Sequence, residues 1–217
     1  MRILGIIPPP SDEEHERARI WAASALAGLA LLMVMLLIGA PPPPEADLLP
    51  PALRAEQIPQ FQRDVRLCRS ALDGAGFKTE AMPDLRESQG CGYQNAVELT
   101  QSVHAYSSPV VTTCAAAAAL VLWERDVVQP AAQRHLGQAV VRIELAGPAY
   151  SCRRIAGRAD RRLSEHAHAN AIDIGGFTLA DGTELTVQRG CRGAARQRAF
   201  LHSVRTGACD YFQAVLS

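Results

Sequence analysis

The longest apolar stretch of the chain lies near its N-terminus. Residues 21–39 contain no charged side chain, and an α-helix of that length spans about 28 Å, close to the hydrocarbon thickness of a bilayer. A cleaved signal peptide has a shorter apolar core and a small-residue cleavage site, whereas here Pro41 to Pro44 follow at once. The pattern therefore predicts a transmembrane signal anchor that is not cleaved, with a cleaved signal peptide as the alternative.

The charges beside this stretch predict its orientation. Arg2, Arg17 and Arg19 stand on its N-terminal side, and Arg54 follows on its C-terminal side. By the positive-inside rule, the N-terminal tail, residues 1–20, stays in the cytoplasm. The part of the chain that follows the anchor is then on the outer side of the membrane.

A proline-rich segment separates the anchor from the rest of the chain. Residues 41–60 contain seven prolines and little periodicity, which is typical of a semi-rigid linker. Residues 61–217 are long enough for one globular domain. The predicted organisation is thus tail, anchor, linker and a single outer domain.

Helical and strand patterns follow each other irregularly in this domain. Apolar residues at helical spacing, with capping threonines and terminating glycines, predict helices near 61–74, 112–128 and 194–204, of which Pro130 ends or kinks the second. Alternating patterns and an Asp-Gly turn predict strands near 95–103, 139–145, 150–155, 171–179 and 184–187. Because helices and strands do not alternate regularly, the domain is predicted to be α+β.

Charge and cysteine content narrow the classes of function. The chain has 22 basic and 22 acidic residues, so it lacks the basic excess that is usual in nucleic-acid binding. Six cysteines follow the anchor and none forms a Cys-x-x-Cys pair, which favours three disulfides in an exported domain; free buried thiols are the alternative for a cytosolic one. Their order along the chain favours the pairs Cys68–Cys91, Cys114–Cys152 and Cys191–Cys209, among 15 possible connectivities.

A histidine and an aspartate stand seven residues apart in the segment 164–173, Ser-Glu-His-Ala-His-Ala-Asn-Ala-Ile-Asp. Strand alternation places Asp173 on the face opposite Ile172 and Ile174, so its carboxylate can face a cleft while the isoleucines enter the core. His166 precedes the strand and can reach the same ion, and both groups are zinc ligands. A surface histidine and a turn-capping aspartate produce the same spacing.

Other side chains could complete such a site. His168, His104 and His202 are candidate third ligands. Arg153 or Arg154 could hold a peptide carboxylate through paired hydrogen bonds, or each could be a solvated arginine on a strand. Ser164 could bind a substrate or only orient the loop of His166.

The segment 164–173 resembles the Ser-x-His-x-x-Gly-x-Ala-x-Asp signature of zinc D-Ala-D-Ala carboxypeptidases, with Ala169 in the place of the signature glycine. Over about residues 65–217 the chain resembles the bacterial extensin-like C-terminal domain family, which looks like a relative of those peptidases. This resemblance is carried by Gly-Cys-Gly-Tyr at 90–93, Ser-Cys-Arg-Arg at 151–154, Leu-Ser-Glu-His at 163–166, Ile-Asp-Ile-Gly-Gly-Phe at 172–177 and Gly-Ala-Cys at 207–209.

The resemblance implies a Hedgehog/DD-peptidase-like fold, in which helices pack on a small antiparallel sheet. It also implies zinc held by His166 and Asp173. Together with the predicted anchor, it suggests a periplasmic domain on a single-pass inner-membrane protein, with Ser164 and Arg153 as the candidate substrate-binding residues. The implied partner is a peptidoglycan stem peptide or another wall component.

One departure from the peptidase pattern affects the expected activity. The zinc peptidases complete their site with a late His-x-His segment, and this sequence ends at 215–217 before any such segment. A catalytic zinc site needs three protein ligands, so we expect an incomplete site and little peptidase activity. The alternatives are a truncated peptidase-like protein, a substitute histidine, a non-catalytic wall- or protein-binding module, and an inactive product.

Overall fold

The computed structural model describes residues 53–155, 162–190 and 192–216. The predicted tail, the predicted anchor and most of the predicted linker lie outside the described residues. Within the described part, no helix is both long enough and apolar enough to cross a bilayer.

The folded region starts upstream of its predicted boundary at residue 61. Leu53 is buried in the core, and its carbonyl oxygen accepts a hydrogen bond of 3.2 Å from the Arg125 guanidinium. The short turn Ala55–Gln57 and the helix Ile58–Phe61 follow. The end of the predicted linker therefore belongs to the domain.

The described residues contain both helices and strands, as the α+β prediction requires. The helices are α1 Ile58–Phe61, α2 Val65–Gly74, α3 Cys114–Trp123, α4 Gln129–Leu136, α5 Val187–Gly190 and α6 Ala195–Ala208. The strands are β1 Thr79–Ala81, β2 Leu85–Arg86, β3 Gly92–Tyr93, β4 Ala96–Gln101, β5 Ala105–Thr113, β6 Val140–Leu145, β7 Ile174–Leu179 and β8 Glu184–Thr186.

The main sheet is mixed, which corrects the expectation of an antiparallel sheet. Its six strands have the order β1-β4-β5-β6-β7-β8, and β2 pairs with β3 in a separate ribbon. Strands β5 and β6 are parallel, whereas the other neighbours are antiparallel. Helices α3 and α4 connect β5 to β6, because two parallel neighbours need a long crossover that returns the chain to the starting end of the sheet.

The crossover is one helical rod with an irregular turn in its middle. Thr113 caps α3 by accepting a hydrogen bond from the Ala116 amide at 3.3 Å, as the sequence predicted. A π-helical turn, Glu124–Val128, then links α3 to α4. Pro130 lies in the first turn of α4 rather than ending the rod, and the π-helical turn directly before it is an irregularity of the kind that accompanies a proline inside a helix.

Aromatic side chains hold the helices against the sheet. The rings of Trp123 on α3 and Phe177 on β7 have centroids 6.3 Å apart, and Phe200 on α6 meets Phe177 edge to face at 5.2 Å. The Trp123 indole also donates a hydrogen bond of 3.0 Å to the Val204 carbonyl. This cluster explains why the final helix, predicted from its periodicity, packs beside the crossover.

The disulfides differ from the predicted order. The structure contains Cys68–Cys114, which joins α2 to the start of α3, and Cys91–Cys152, which joins the β3 ribbon to the segment after β6. The predicted pairs Cys68–Cys91 and Cys114–Cys152 are therefore wrong, because folding brings together cysteines that are not neighbours along the chain. Cys209 is exposed and carries a free thiol, and its predicted partner, Cys191, lies outside the described residues.

Candidate metal and peptide site

The segment that carries the histidine is a tight loop between two backbone anchors. It forms a short 3₁₀ helix, Glu165–His168, whose N-cap is Ser164. The Ser151 amide donates to the His166 carbonyl at 2.9 Å, and the Ala146 amide donates to the Asp173 carbonyl at 2.8 Å. These bonds hold both ends of the loop against the chain that leaves β6.

The loop brings the two predicted metal ligands together. His166 Nε2 lies 3.2 Å from Asp173 Oδ2. Two ligands of one tetrahedral zinc ion, at about 2.0–2.2 Å from the metal, are about 3.3 Å apart. The observed distance therefore fits both a direct His–Asp contact and a pair that shares an ion.

A backbone carbonyl determines which nitrogen of His166 is free to bind a metal. Nδ1 lies 3.1 Å from the Ala149 carbonyl oxygen, and because a carbonyl only accepts, Nδ1 carries the proton. In the neutral ring Nε2 then has a lone pair directed at Asp173. A second hydrogen bond of this kind is typical of histidines that ligate metals.

Burial differs between the two members of this pair. The His166 side chain is 7% exposed, whereas that of Asp173 is 53% exposed. Asp173 immediately precedes β7, and Ile172 and Ile174 pack on the core, as the strand pattern predicted. The pair thus has one buried, oriented member and one that faces solvent.

The structure shows where the two predicted substrate-binding residues lie. Arg153 is half-exposed, and its guanidinium lies 3.9 Å from Asp173 Oδ2. Ser164 is buried, and its hydroxyl accepts a long hydrogen bond, 3.4 Å, from the His166 amide. The observed contact of Ser164 is the loop-orienting one of its two predicted roles.

The candidate third ligands do not join the pair. The His168 ring contacts the Gly92 carbonyl at 3.4 Å, the His104 ring contacts the Gln129 side-chain amide, and His202 is exposed on α6. In the described part of the chain, no group of three or more His, Cys, Asp or Glu side chains could hold a metal ion.

Ala169 occupies a backbone conformation that favours glycine. Its φ of 51° lies in the left-handed region, and it is fully buried. Its carbonyl accepts hydrogen bonds from the Thr113 amide at 2.9 Å and from the Thr112 hydroxyl at 2.7 Å. These contacts hold the left-handed turn in place, which explains how alanine is tolerated at a φ that favours glycine.

A groove of about 510 Å³ lies beside the histidine loop. Strand β5 forms one wall, through Pro109 and Val111, and the chain after β6 forms the other, including Pro148 and Ala149. Tyr93 and Tyr150 also line the groove, with their rings edge to face at 5.1 Å. Ala149 both lines the groove and accepts a hydrogen bond from His166, so the groove and the His–Asp pair are neighbours.

Sequence reasoning missed two features of this site. Strand β5 was not predicted, because Ser107, Ser108 and Pro109 in its middle are typical of a loop. The Ala149 carbonyl was also missed, since a backbone acceptor has no signal in the sequence. The doublet Thr112-Thr113, singled out only as a helix cap, was the available clue to the contact of strand β5 with the Ala169 carbonyl.

The fold and the site define an α+β domain with a His–Asp pair beside an uncharged groove. Over residues 66–217 the chain matches the profile described as Extensin-like protein C-terminus, and it therefore belongs to that family. No curated protein and no solved structure matches the chain significantly.

Proposed function

We propose that this chain is a membrane-anchored periplasmic protein whose extensin-like domain binds or acts on cell-wall peptides, with zinc held in part by His166 and Asp173. The observation that carries the proposal is the oriented pair, with Nε2 and Oδ2 at 3.2 Å and Nδ1 engaged by the Ala149 carbonyl. Zinc in such a site lowers the pKa of a bound water to about 7 and polarises a carbonyl.

The residues present fit two positions of a zinc site. The Ala149 carbonyl holds the imidazole in the tautomer that leaves Nε2 free, and Ser164 caps the turn that carries it. Asp173 supplies an exposed carboxylate oxygen. A third protein ligand would have to come from outside the described residues, so we expect weak metal binding by this chain.

Arg153 is suited to a carboxylate of the bound peptide. Its side chain is 50% exposed, and its guanidinium lies 3.9 Å from Asp173 Oδ2. A guanidinium can donate two parallel hydrogen bonds to a carboxylate. In this proposal Arg153 and the groove bind the peptide, while His166 and Asp173 bind the ion.

The alternative function is a wall- or protein-binding module without catalysis. Two observations favour it: no third ligand joins the pair among the described residues, and a guanidinium lies 3.9 Å from the candidate carboxylate. A cation so close to Asp173 opposes the binding of a second cation.

Calorimetric titration of the chain with zinc distinguishes the two proposals. We expect weak, saturable binding that His166→Ala and Asp173→Asn each weaken at least about tenfold, because each removes one ligand. His202→Ala is the matched control, since His202 is an exposed histidine on α6. Equal zinc affinity in all four proteins would remove the pair from the site and favour the binding module.

A further inference from the structure

Strand β5 has one edge that is paired along its length and one edge that is not. On one side it pairs with β4, with partners from Ala96–Thr113 to Gln101–Ala105. On the other side it pairs with β6 only at Ala105 and Tyr106. The two strands then separate, and the groove opens between them.

The hydrogen bonds at the end of β5 show which backbone groups face the groove. The Cys114 amide points toward the β4 side and bonds the Asn95 carbonyl, whereas the Thr113 amide points the other way and bonds the Ala169 carbonyl. Because backbone groups alternate between the two edges of a strand, Val111 and Pro109 face the same way as Thr113. The Val111 amide and the carbonyls of Val111 and Pro109 therefore lie along the unpaired edge.

The position of Pro109 supports this assignment. Proline cannot donate a hydrogen bond and occurs in strands at positions where the amide is not needed by a neighbour. Pro109 stands in the middle of a nine-residue strand, at a position whose amide would face the groove. The strand thus has its proline at a position that faces the unpaired edge. The next residue, Val110, faces the other edge and pairs with Leu99 of β4.

The chemistry of the groove selects its occupant. None of the described residues that line it carries a charge, and its walls include two tyrosines and two prolines. An uncharged peptide can enter without leaving a buried charge unpaired, and its own amides and carbonyls match the three backbone groups on β5. The described charged residues Arg153 and Asp173, which lie 3.9 Å apart, are not among those that line the groove.

We propose that an extended, uncharged peptide segment binds in this groove as an added strand along Pro109–Val111. Strand addition uses main-chain hydrogen bonds for affinity and side-chain pockets for selectivity. The added strand would run between β5 and residues 145–149, the chain after β6. Since Ala149 binds His166 and Thr113 binds Ala169, one end of the peptide lies beside the His–Asp pair. This inference rests on the proposed function, because it gives the form in which a peptide reaches that pair.

A proline substitution at the open edge tests the proposal. Val111→Pro removes the Val111 amide, which faces the groove. The hydrogen bonds between β5 and β4 stay intact, because none of them uses this amide. Val111→Ala keeps the amide and shortens the side chain. The probe is acetyl-Ala-Val-Ser-Val-Ala-amide, titrated by ligand-observed NMR against the full chain in lipid nanodiscs. We expect Val111→Pro to weaken binding at least about tenfold and Val111→Ala to change it less than about threefold, since one or two hydrogen bonds are at stake.

A modified probe makes the test independent of protein folding. The same peptide, N-methylated at both valines, cannot donate its central amides and should bind the wild-type chain at least about tenfold more weakly. Three results would each overturn the proposal. They are equal affinity of Val111→Pro and wild type for the probe, equal affinity of the wild-type chain for the two peptides, and no saturable binding of the probe to the wild-type chain. His202→Ala, at an exposed histidine on α6, should bind the probe like wild type. The peptide titration is made without zinc, so a failed zinc experiment leaves this result interpretable.

Discussion

At the scale of single residues, Glu124 is the least expected feature. It is fully buried at the start of the π-helical turn, directly after the apolar helix α3. The hydroxyls of Ser102 and Tyr106 both donate hydrogen bonds to its carboxyl group. Burial raises the pKa of Glu124 to about 7, although these hydrogen bonds and one from the His104 backbone lower it in part. A carboxyl in this state takes up a proton near neutral pH.

This pKa predicts a stability that decreases with rising pH. Between about pH 4.5 and 7 the folded state holds a proton on Glu124 that the unfolded state has released, so the free energy of unfolding falls by up to about 3 kcal/mol over that window. Glu124→Gln removes this proton uptake. Urea unfolding at pH 5 and pH 7.5 should therefore show that the free energy of unfolding decreases less for the variant than for wild type.

Two comparisons make the test of Glu124 specific. Burial lowers the pKa of His104, which makes stability rise with pH below about 6.5 and opposes the effect of Glu124. The difference between variant and wild type cancels that contribution. Glu184→Gln, at an exposed carboxylate on β8, should keep the wild-type pH dependence, and an identical slope in all three proteins would contradict the prediction.

At the scale of elements, the two disulfides join different parts of the domain. Cys68–Cys114 ties α2 to α3, whereas Cys91–Cys152 ties the β3 ribbon to the segment that precedes Arg153. Gly92, next to Cys91, has a φ of 130°, and a Cβ there would lie 2.1 Å from the Leu85 carbonyl oxygen. Strand β3 therefore approaches β2 as closely as a glycine allows. The Cys91–Cys152 disulfide holds this ribbon beside the groove.

We expect the two disulfides to contribute similarly to stability but differently to zinc binding. They close loops with sequence separations of 46 and 61 residues, for which loop entropy predicts about 4 kcal/mol each, with about 2–5 kcal/mol usual on removal. The double variant Cys91→Ala/Cys152→Ala should also weaken zinc binding, because it frees the segment after β6 that contains Ala149 and Arg153.

The double variant Cys68→Ala/Cys114→Ala is the matched control for this prediction. Its unfolding midpoint in urea should fall by a similar amount, while its zinc affinity in calorimetry should stay within about threefold of wild type. Loss of zinc binding in the control, or none in the first variant, would show that the Cys91–Cys152 bond does not support the site.

At the scale of the whole molecule, the proposed membrane anchor and the disulfides point to the same compartment. Disulfides persist in oxidising compartments such as the periplasm, and the described domain contains two. The apolar run at 21–39, preceded by three arginines, predicts an inside-to-outside topology for the chain. The domain would then work on the outer side of the membrane, where wall peptides occur.

Reporter fusions after Ser217 test this topology. A reporter that needs the periplasm should be active and a cytoplasmic reporter inactive, because the domain would be exported behind the anchor. The reverse result would invert the orientation. N-terminal sequencing of the membrane-bound protein should find residues upstream of the apolar run, and a start near Pro41 would indicate cleavage instead.

Local patterns in the sequence were enough for several conclusions. Periodicity and caps predicted helix α2, the helix capped by Thr113, the hairpin of β7 and β8, and α6, because these depend on neighbours a few residues away. The spacing of His166 and Asp173 predicted their proximity for the same reason. The match over residues 66–217 confirms the family indicated by those motifs.

Tertiary structure decided what depends on distant parts of the chain. The disulfide partners are 46 and 61 residues apart, and the parallel pairing of β5 with β6 exists only because the intervening helices return the chain to the sheet. Strand β5, with its serines and proline, is stable because β4 pairs along it and the Ala169 carbonyl receives its last amide. The groove follows from the same arrangement, since it opens where β5 and β6 separate, and no local pattern encodes the distance between two strands.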